Sequence, residues 1–439
     1  MAAHRLLELN CEVHLFESHA IGGMLQTVRR GGWVVEAGAH TIAEPETPVR
    51  TLLDAAGVTE RSVRVGPEVR RRFVVHHGVP VAVPLSPGEL AASPLLSVRG
   101  RLRLLKEPFL APGPINDDES VDAFARRRFG AEVATRMIEP IVASSTAGDV
   151  RQLLARVLFP AHVAYERDGG SVLRGAMRAG MQARRRAAAE RPRGPWTGAT
   201  GVGEVAAKLA AALGEARCMA AAVDRVSLGT TGVSVGSSGQ RHRYDAAVIA
   251  VPLPALDRIT IDGIDAGLFS LITGMPHASV VSVTLGYRRA AVQHALDGSG
   301  VLVPATERRH VLVTTFPSTM FAGRAPADHV ILTSMAGGVH HRDLVSADDG
   351  DLRAVVRREM EHLLGAKGEP AFTEITRWHD ALPQPVAGHA ARLQAADDVE
   401  SAHPAIAFAG AWRDGSSVAD AMRGGVRAAE RVAGRLVRN

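Results

Sequence analysis

The run Val13-His14-Leu15-Phe16-Glu17, with Gly22-Gly23 close behind, constrains this chain's fold more than any other stretch. Apolar residues alternate toward an acid, which predicts a β-strand. An acid at the end of the second strand of a dinucleotide-binding unit can accept hydrogen bonds from an adenosine ribose. A glycine pair just beyond it lets the backbone approach a phosphate or a flat ring closely. Taken alone, the pattern also fits an ordinary strand and turn.

A complete unit of this kind opens with a strand and a Gly-x-Gly-x-x-Gly turn roughly 20 residues ahead of the acid. Here Met1 to Leu9 reads instead as the back half of a first helix, with Leu6, Leu7 and Leu9 able to face a sheet. It lacks the apolar core and cleavage site of a signal peptide. The expectation is a chain that begins inside the first β-α-β unit, N-terminally truncated, without the diphosphate loop.

Composition narrows the partners. The chain has 439 residues, enough for two or three domains. Lys and Arg exceed Asp and Glu by only five, 51 against 46, and no compact recognition motif accompanies them, so nucleic acid is not expected. Aromatics are 4%, too few for base-stacking platforms. Cys11 and Cys218 stand alone, which excludes the usual zinc and iron–sulfur sites and fits a reducing cytosol. No apolar run is long enough to span a bilayer, so any membrane contact would be peripheral, at the inner face of the membrane.

Further along, Met24 to Gly38 reads as a hairpin about Gly31-Gly32, and Thr47 to Gly57 as a helix. Arg70-Arg71-Arg72 opens a second hairpin through Pro84; its guanidiniums could clamp carboxylates or simply be solvated. His76-His77 reads as an exposed turn pair rather than a metal site. Residues 85 to 190 look mainly helical, with Ser120 a cap. Leu95 to Lys106 has one apolar and one basic face, and its apolar face is expected to pack on a core rather than lie on a membrane. Ala183 to Arg193 reads as an exposed helix end or loop. After a helix from Val205 to Leu213, strands are expected at Met219 to Leu228, Gly232 to Gly236, Arg241 to Tyr244 and Tyr244 to Pro252. Residues 275 to 290 and 301 to 335 are strand-rich. Asp348 to Gly365 is a helix, Ala405 to Gly410 a buried strand, and Val418 to Leu436 the closing helix.

Assembled, these pieces resemble the two-domain flavin amine-oxidase fold, and within it the porphyrinogen oxidases of haem synthesis. Five stretches carry the likeness: Phe16-Glu17 with Ile21-Gly22-Gly23 and Glu36-Ala37-Gly38; Pro140 to Asp149 running to Phe159-Pro160; Val223-x-x-Val226 with Asp245 to Pro252; Arg377-Trp378-His379-Asp380-Ala381-Leu382-Pro383-Gln384 with Gly388-His389 and Arg392-Leu393; and Ala409-Gly410-Ala411 with Gly415, Val418 and Asp420. The fourth is the most diagnostic.

The resemblance implies an α/β fold: a Rossmann-like FAD-binding domain from discontinuous segments (1–70, 195–270 and 395–439), a mixed-sheet substrate domain (71–84 and 271–394), and a helical insertion (85–194) that in relatives touches a membrane. It implies that Glu17 holds the adenosine ribose and that Gly22, Gly23, Gly38 and Ala39 line the flavin by backbone. Val223 would pair with the adenine edge, Gly410, Ala411 and Val418 would cover the diphosphate and ring, and Arg72 would face a substrate propionate. The implied reaction is FAD-dependent oxidation of protoporphyrinogen IX or coproporphyrinogen III, with oxygen as acceptor and no metal. Met24 and Trp412-Arg413-Asp414 depart from the usual family residues at their positions. Two alternatives stand beside this reading: another flavin oxidase, such as an amine oxidase or carotene desaturase, or a truncated chain that binds no FAD.

Overall fold

The computed structural model describes residues 1–66, 69, 71–113, 116–187, 194–229 and 231–436. Helix α1 (Ala2–Glu8) is followed by strand β1 (Leu15–Glu17), the hairpin β2 (Thr27–Arg30) and β3 (Trp33–Glu36), and helix α2 (Val49–Ala55). A second hairpin, β4 (Arg71–His76) and β5 (Val79–Ala82), leads into helices that include α3 (Val98–Leu105), α4 (Val121–Phe129), α5 (Glu139–Thr146) and α6 (Val172–Ala187). Helix α7 (Gly203–Leu213) precedes β6 (Cys218–Ala220), β7 (Val223–Leu228) and β8 (Ala247–Ile249). Strands β9 (His277–Arg288), β10 (Gly298–Leu302), β11 (Val311–Thr315) and β12 (His329–Gly337) follow. The chain closes with α8 (Asp349–Leu364), β13 (Phe372–Pro383), α9 (His389–Ala402), β14 (Ile406–Phe408) and α10 (Val418–Leu436).

Two short parallel pairs bring distant parts of the chain together. Strand β1 pairs with β6, setting Glu17 opposite Ala220, and β8 pairs with β14. Among the described residues no strand joins the two pairs. Instead, a cleft of about 1190 Å³ is lined by Cys11, Glu12 and His14 ahead of β1 and by Asp245, Ala246 and Val248 at β8. Helix α10 packs Ala428 and Val432 against the β14 side of this region, and Leu6 of α1 joins that cluster. The expected apolar face of α1 is thus only partly used, because Leu9 is 38% exposed and α1 has no fully buried residue.

The largest layer is a seven-stranded mixed sheet, ordered β13-β9-β12-β11-β10-β4-β5. Strand alternation gives it two different faces. Phe73, Val301 and Leu285 point into a core capped by Val356 and Met360 of α8. Val74, Leu302 and Val313 point the other way, toward Leu95 ahead of α3. Beside them, Val280 and Trp378 pack with Ala147 after α5. The hairpin, the closing helix (Val418–Leu436) and the 348–365 helix form where their periodicity and caps put them; Asp348 accepts from the Asp351 N–H as an N-cap.

Several expectations are corrected. The segment Met219 to Leu228 is two strands in two sheets, because the chain turns at Ala221, whose N–H bonds to the Met219 carbonyl. Of Tyr244 to Pro252 only Ala247–Ile249 is strand, since its partner is three residues long and Tyr244 belongs to the preceding hairpin. Leu95 and Leu96 are buried, yet Val98, Leu102 and Leu105 are 70%, 56% and 65% exposed. Helix α3 turns its Gly100 side inward, where a Cβ would sit 2.7 Å from the Glu132 carboxylate, and leaves the apolar stripe outside. The expectation for Ala183 to Arg193 falls partly outside the described residues, with α6 reaching Ala187.

Beneath the helices lies a buried ion pair. Glu107 and Arg128 are both 0% exposed and bonded to each other, and Glu107 also accepts from Ser171 Oγ at 2.6 Å and from the Val172 N–H at 2.9 Å. Burial favours the neutral acid, but these donors win, and the carboxyl stays below its ordinary range.

Candidate active site

Glu17 ends β1, and its carboxylate accepts the His19 N–H at 2.9 Å. The β1–β6 register places Ala220 beside it, with Val223 three residues further on at the start of β7. Gly22 and Gly23 follow with φ of +121° and +54°. A Cβ on Gly22 would meet Ala206 of α7 at 2.7 Å, whereas Gly23 has open space beside it. The turn thus presents bare backbone.

Gly38 and Ala39 follow β3. The Ala39 N–H bonds to the Met24 carbonyl at 3.1 Å, tying this strand end to the glycine turn. A Cβ on Gly38 would strike that same carbonyl and approach the Trp378 ring at 3.1 Å. Trp378 comes from β13, and its Nε1–H donates to the Ala37 carbonyl at 2.8 Å. Buried Glu36 adds a second tie. It accepts from Thr27 Oγ1 at 2.6 Å and the Val202 N–H at 3.0 Å, and lies 3.4 Å from Arg324. Burial raises its pKa despite those partners. Gly410, with φ +136°, and Ala411 stand at the end of β14; the Gly410 N–H donates to Asp414 at 3.0 Å. Val418 opens α10, where Ser417 caps by accepting the Asp420 N–H at 3.1 Å.

The diagnostic stretch around Trp378 is stitched to the 140–149 stretch. Gln384 Nε2 donates to the Thr146 carbonyl at 2.9 Å, and the Val339 N–H bonds to the Ala147 carbonyl at 3.0 Å. Arg377 donates to the carbonyls of Val345 and Ala347, which fixes the middle of β13 to the segment that follows β12.

Arg72 lies on the sheet face that points away from α8. Its neighbour Arg71 pairs with Asp297 at 2.9 Å, and Arg70 lies outside the described residues. Arg72 itself has no side-chain partner among the described residues. Its side chain is exposed to solvent, and partial desolvation by its surroundings lowers its pKa from the ordinary arginine value. Glu139 of α5 accepts the Ala305 N–H at 3.1 Å, and burial pushes its pKa up to about 7. His76 ends β4 and His77 begins the turn to β5; among the described residues no His, Cys, Asp and Glu cluster is set to hold a metal. Sequence reasoning missed His40, Glu139 and the tie made by Trp378. The only signal for His40 was its position directly after Gly38-Ala39.

The profile of the family described as flavin-containing amine oxidoreductase matches residues 1–433, and the chain belongs to that family. FAD is the cofactor of the family. Within it, the chain is 29% identical to protoporphyrinogen oxidase 2 (chloroplastic/mitochondrial) of Arabidopsis thaliana, over 98% of this chain and 91% of that protein. It is 30% identical to the mitochondrial protoporphyrinogen oxidase of Nicotiana tabacum, over 98% and 92%, and 24% identical to the coproporphyrinogen III oxidase of Bacillus subtilis (strain 168), over 94% and 89%. A crystal structure assigned as a protoporphyrinogen oxidase from Exiguobacterium sp. 255-15 superposes with a TM-score of 0.82 at 21% identity, covering 99% and 96%. A putrescine oxidase variant gives 0.71 at 16% identity, covering 100% and 96%. The mixed α/β fold with its large sheet is therefore that of the flavin amine oxidases.

The residues present fit a flavin. Bare glycine backbone lies at Gly22, Gly23, Gly38 and Gly410, and an acid ends β1. Trp412 Nε1 and His389 Nδ1, beside Ala411 and at the start of α9, are buried without partners among the described residues.

Proposed function

We propose that this chain oxidises a porphyrinogen, protoporphyrinogen IX or coproporphyrinogen III, to the porphyrin, with FAD as cofactor and oxygen as acceptor. The observation that carries the reading is the unpartnered Arg72 on an open sheet face, together with the relatives named above. A porphyrinogen carries propionates, and a guanidinium offers them a planar fork of donors. An amine substrate would be repelled by the same cation, which sets this reading above that of an amine oxidase on the same fold.

Bound FAD supplies acceptance of hydride from carbon. This chain's own residues bind and orient. Glu17 is assigned to the ribose and Val223 to the adenine edge. Gly22, Gly23, Gly38 and Ala39 are assigned to the ring by backbone, and Gly410, Ala411 and Val418 to the diphosphate and ring, where a helix N-terminus favours an anion. Trp378 fixes the Gly38 loop against the sheet, and Val280, Met335 and Leu382 beside it form an apolar wall that excludes water. In this assignment, residues 1–70, 195–270 and 395–439 serve the cofactor, and 71–84 with 271–394 the substrate. The helical segment between them docks on a membrane surface through Val98, Leu102, Leu105 and Phe109, the last 88% exposed. None of the described helices is long and apolar enough to cross a membrane.

A substrate panel tests the proposal. The FAD-loaded protein should convert a porphyrinogen to its fluorescent porphyrin faster than the uncatalysed reaction and leave putrescine and carotenes unchanged. Turnover of an amine with no porphyrin formed would overturn it.

A further inference from the structure

His40 stands where the flavin-side loop meets the sheet face that bears Arg72. The register fixes their spacing. Gly300 of β10 pairs with Thr315 of β11, and Arg72 of β4 lies across from the Ser299–Gly300 bulge. Arg72, Gly300 and Thr315 thus form a row across three adjacent strands, all on the Val74, Leu302 and Val313 face. Gly300 has φ +152°, and a Cβ there would strike the Thr314 carbonyl, so the middle of the row carries no side chain. Two strand spacings separate its ends, about 10 Å.

His40 sits at the Thr315 end, with Nδ1 3.2 Å from Thr315 Oγ1. The direction of that bond follows from the next one. Thr315 Oγ1 donates its single proton to the Thr333 carbonyl at 3.3 Å. With the hydroxyl proton assigned to that carbonyl, which can only accept, the Thr315 oxygen accepts from His40 and the imidazole proton is assigned to Nδ1. Nε2 is left with a lone pair and has no partner among the described residues. Burial lowers the His40 pKa to about 4, so the ring stays neutral at physiological pH and the lone pair stays free.

We infer that His40 is a positioning residue whose Nε2 accepts a hydrogen bond from a pyrrole N–H of the substrate while Arg72, one bare glycine away, holds a propionate of the same molecule. The inference rests on the porphyrinogen reading and adds the group that orients the macrocycle about its anchored edge. Nothing is transferred to His40; it sets which edge of the ring faces the cofactor.

Three variants separate this role from a structural one. In His40→Gln the amide oxygen reaches the Nε2 position and can still accept from substrate. In His40→Asn the amide N–H replaces Nδ1–H toward Thr315 but falls short of the substrate. His40→Leu does neither. The readouts are the KM for porphyrinogen and, independent of turnover, the Kd of the product porphyrin from fluorescence titration of the FAD-loaded protein. Wild type and Gln should agree within about 3-fold, with Asn and Leu weaker by about 10-fold or more, the effect of one lost hydrogen bond to a buried group. Asn matching wild type while Gln fails would overturn the inference and leave His40 a brace for Thr315. Equal binding by all four proteins would overturn it too. Failure of the wild type itself to bind porphyrin or oxidise porphyrinogen would instead strike the porphyrinogen reading.

Discussion

The indole Nε1–H of Trp378 donates to the carbonyl of Ala37 at 2.8 Å, across 341 residues of sequence. This bond ties the sheet that bears Arg72 to the loop that presents Gly38. Removing the donor leaves a carbonyl unsatisfied beside Gly38, a cost of about 1–3 kcal/mol. Trp378→Phe should therefore weaken FAD binding about 10-fold in a fluorescence titration, with unchanged far-UV circular dichroism. Undiminished FAD affinity would show that the loop holds its position without Trp378.

Arg72 makes no ion pair among the described residues, so its removal should cost the fold little. Arg72→Ala should raise the porphyrinogen KM about 10- to 100-fold, the loss of a charge-assisted hydrogen bond, and change kcat by less than about 3-fold. Arg72→Lys should fall between, because it keeps the charge and loses the fork. An unchanged KM in the Ala variant counts against a propionate at this site.

Glu139 gives the stability a pH dependence. Burial raises its carboxyl pKa from 4.5 to about 7, with the Asp149 charge adding to the rise and the Ala305 N–H opposing it. The folded state keeps a proton that the unfolded chain has released. The stabilising contribution is complete below about pH 4.5 and is lost as pH rises through about 7. Glu139→Gln should raise the Tm at pH 8 relative to wild type, by on the order of 2 kcal/mol of stability, and leave it unchanged at pH 4. Parallel Tm curves for the two proteins from pH 4 to 8 would contradict this.

The Glu107–Arg128 pair is fully buried, and each partner leaves a charge behind if the other is removed. Arg128→Ala should destabilise the helical region by about 3–5 kcal/mol in denaturant unfolding. Glu107→Met with Arg128→Leu together should cost much less than the single change, and an equal cost would show that packing rather than charge dominates there.

Val98, Leu102, Leu105 and Phe109 share one side of a helix and its extension, spaced four, three and four apart. Sedimentation with anionic phospholipid vesicles should show wild-type binding, and Leu102→Asp with Leu105→Asp should weaken it by about 10-fold or more. Wild-type protein that stays wholly in the supernatant would remove the membrane role.

Much of this was legible in the chain because it rests on local chemistry. The strand ending at Glu17, the Gly22-Gly23 turn, the two hairpins and the closing helix (Val418–Leu436) all carry short-range signals. The exposed stripe of α3 was misread because periodicity shows that a helix has an apolar face but not what covers it. The row Arg72–Gly300–Thr315 depends on sheet register between segments more than 200 residues apart, and no local signal sets that register. The contact of His40 with Thr315 was not legible for the same reason, since the two lie 275 residues apart; only its place directly after Gly38-Ala39 pointed to it.

The most direct test is an anaerobic single turnover. The FAD-loaded protein is mixed with one equivalent of porphyrinogen while its visible spectrum is followed. The account predicts flavin bands in the purified or reconstituted protein, their bleaching on mixing, and their return on admission of oxygen together with porphyrin fluorescence. Flavin bands that persist unbleached in the presence of porphyrinogen, or a protein that takes up no FAD at all, would contradict it.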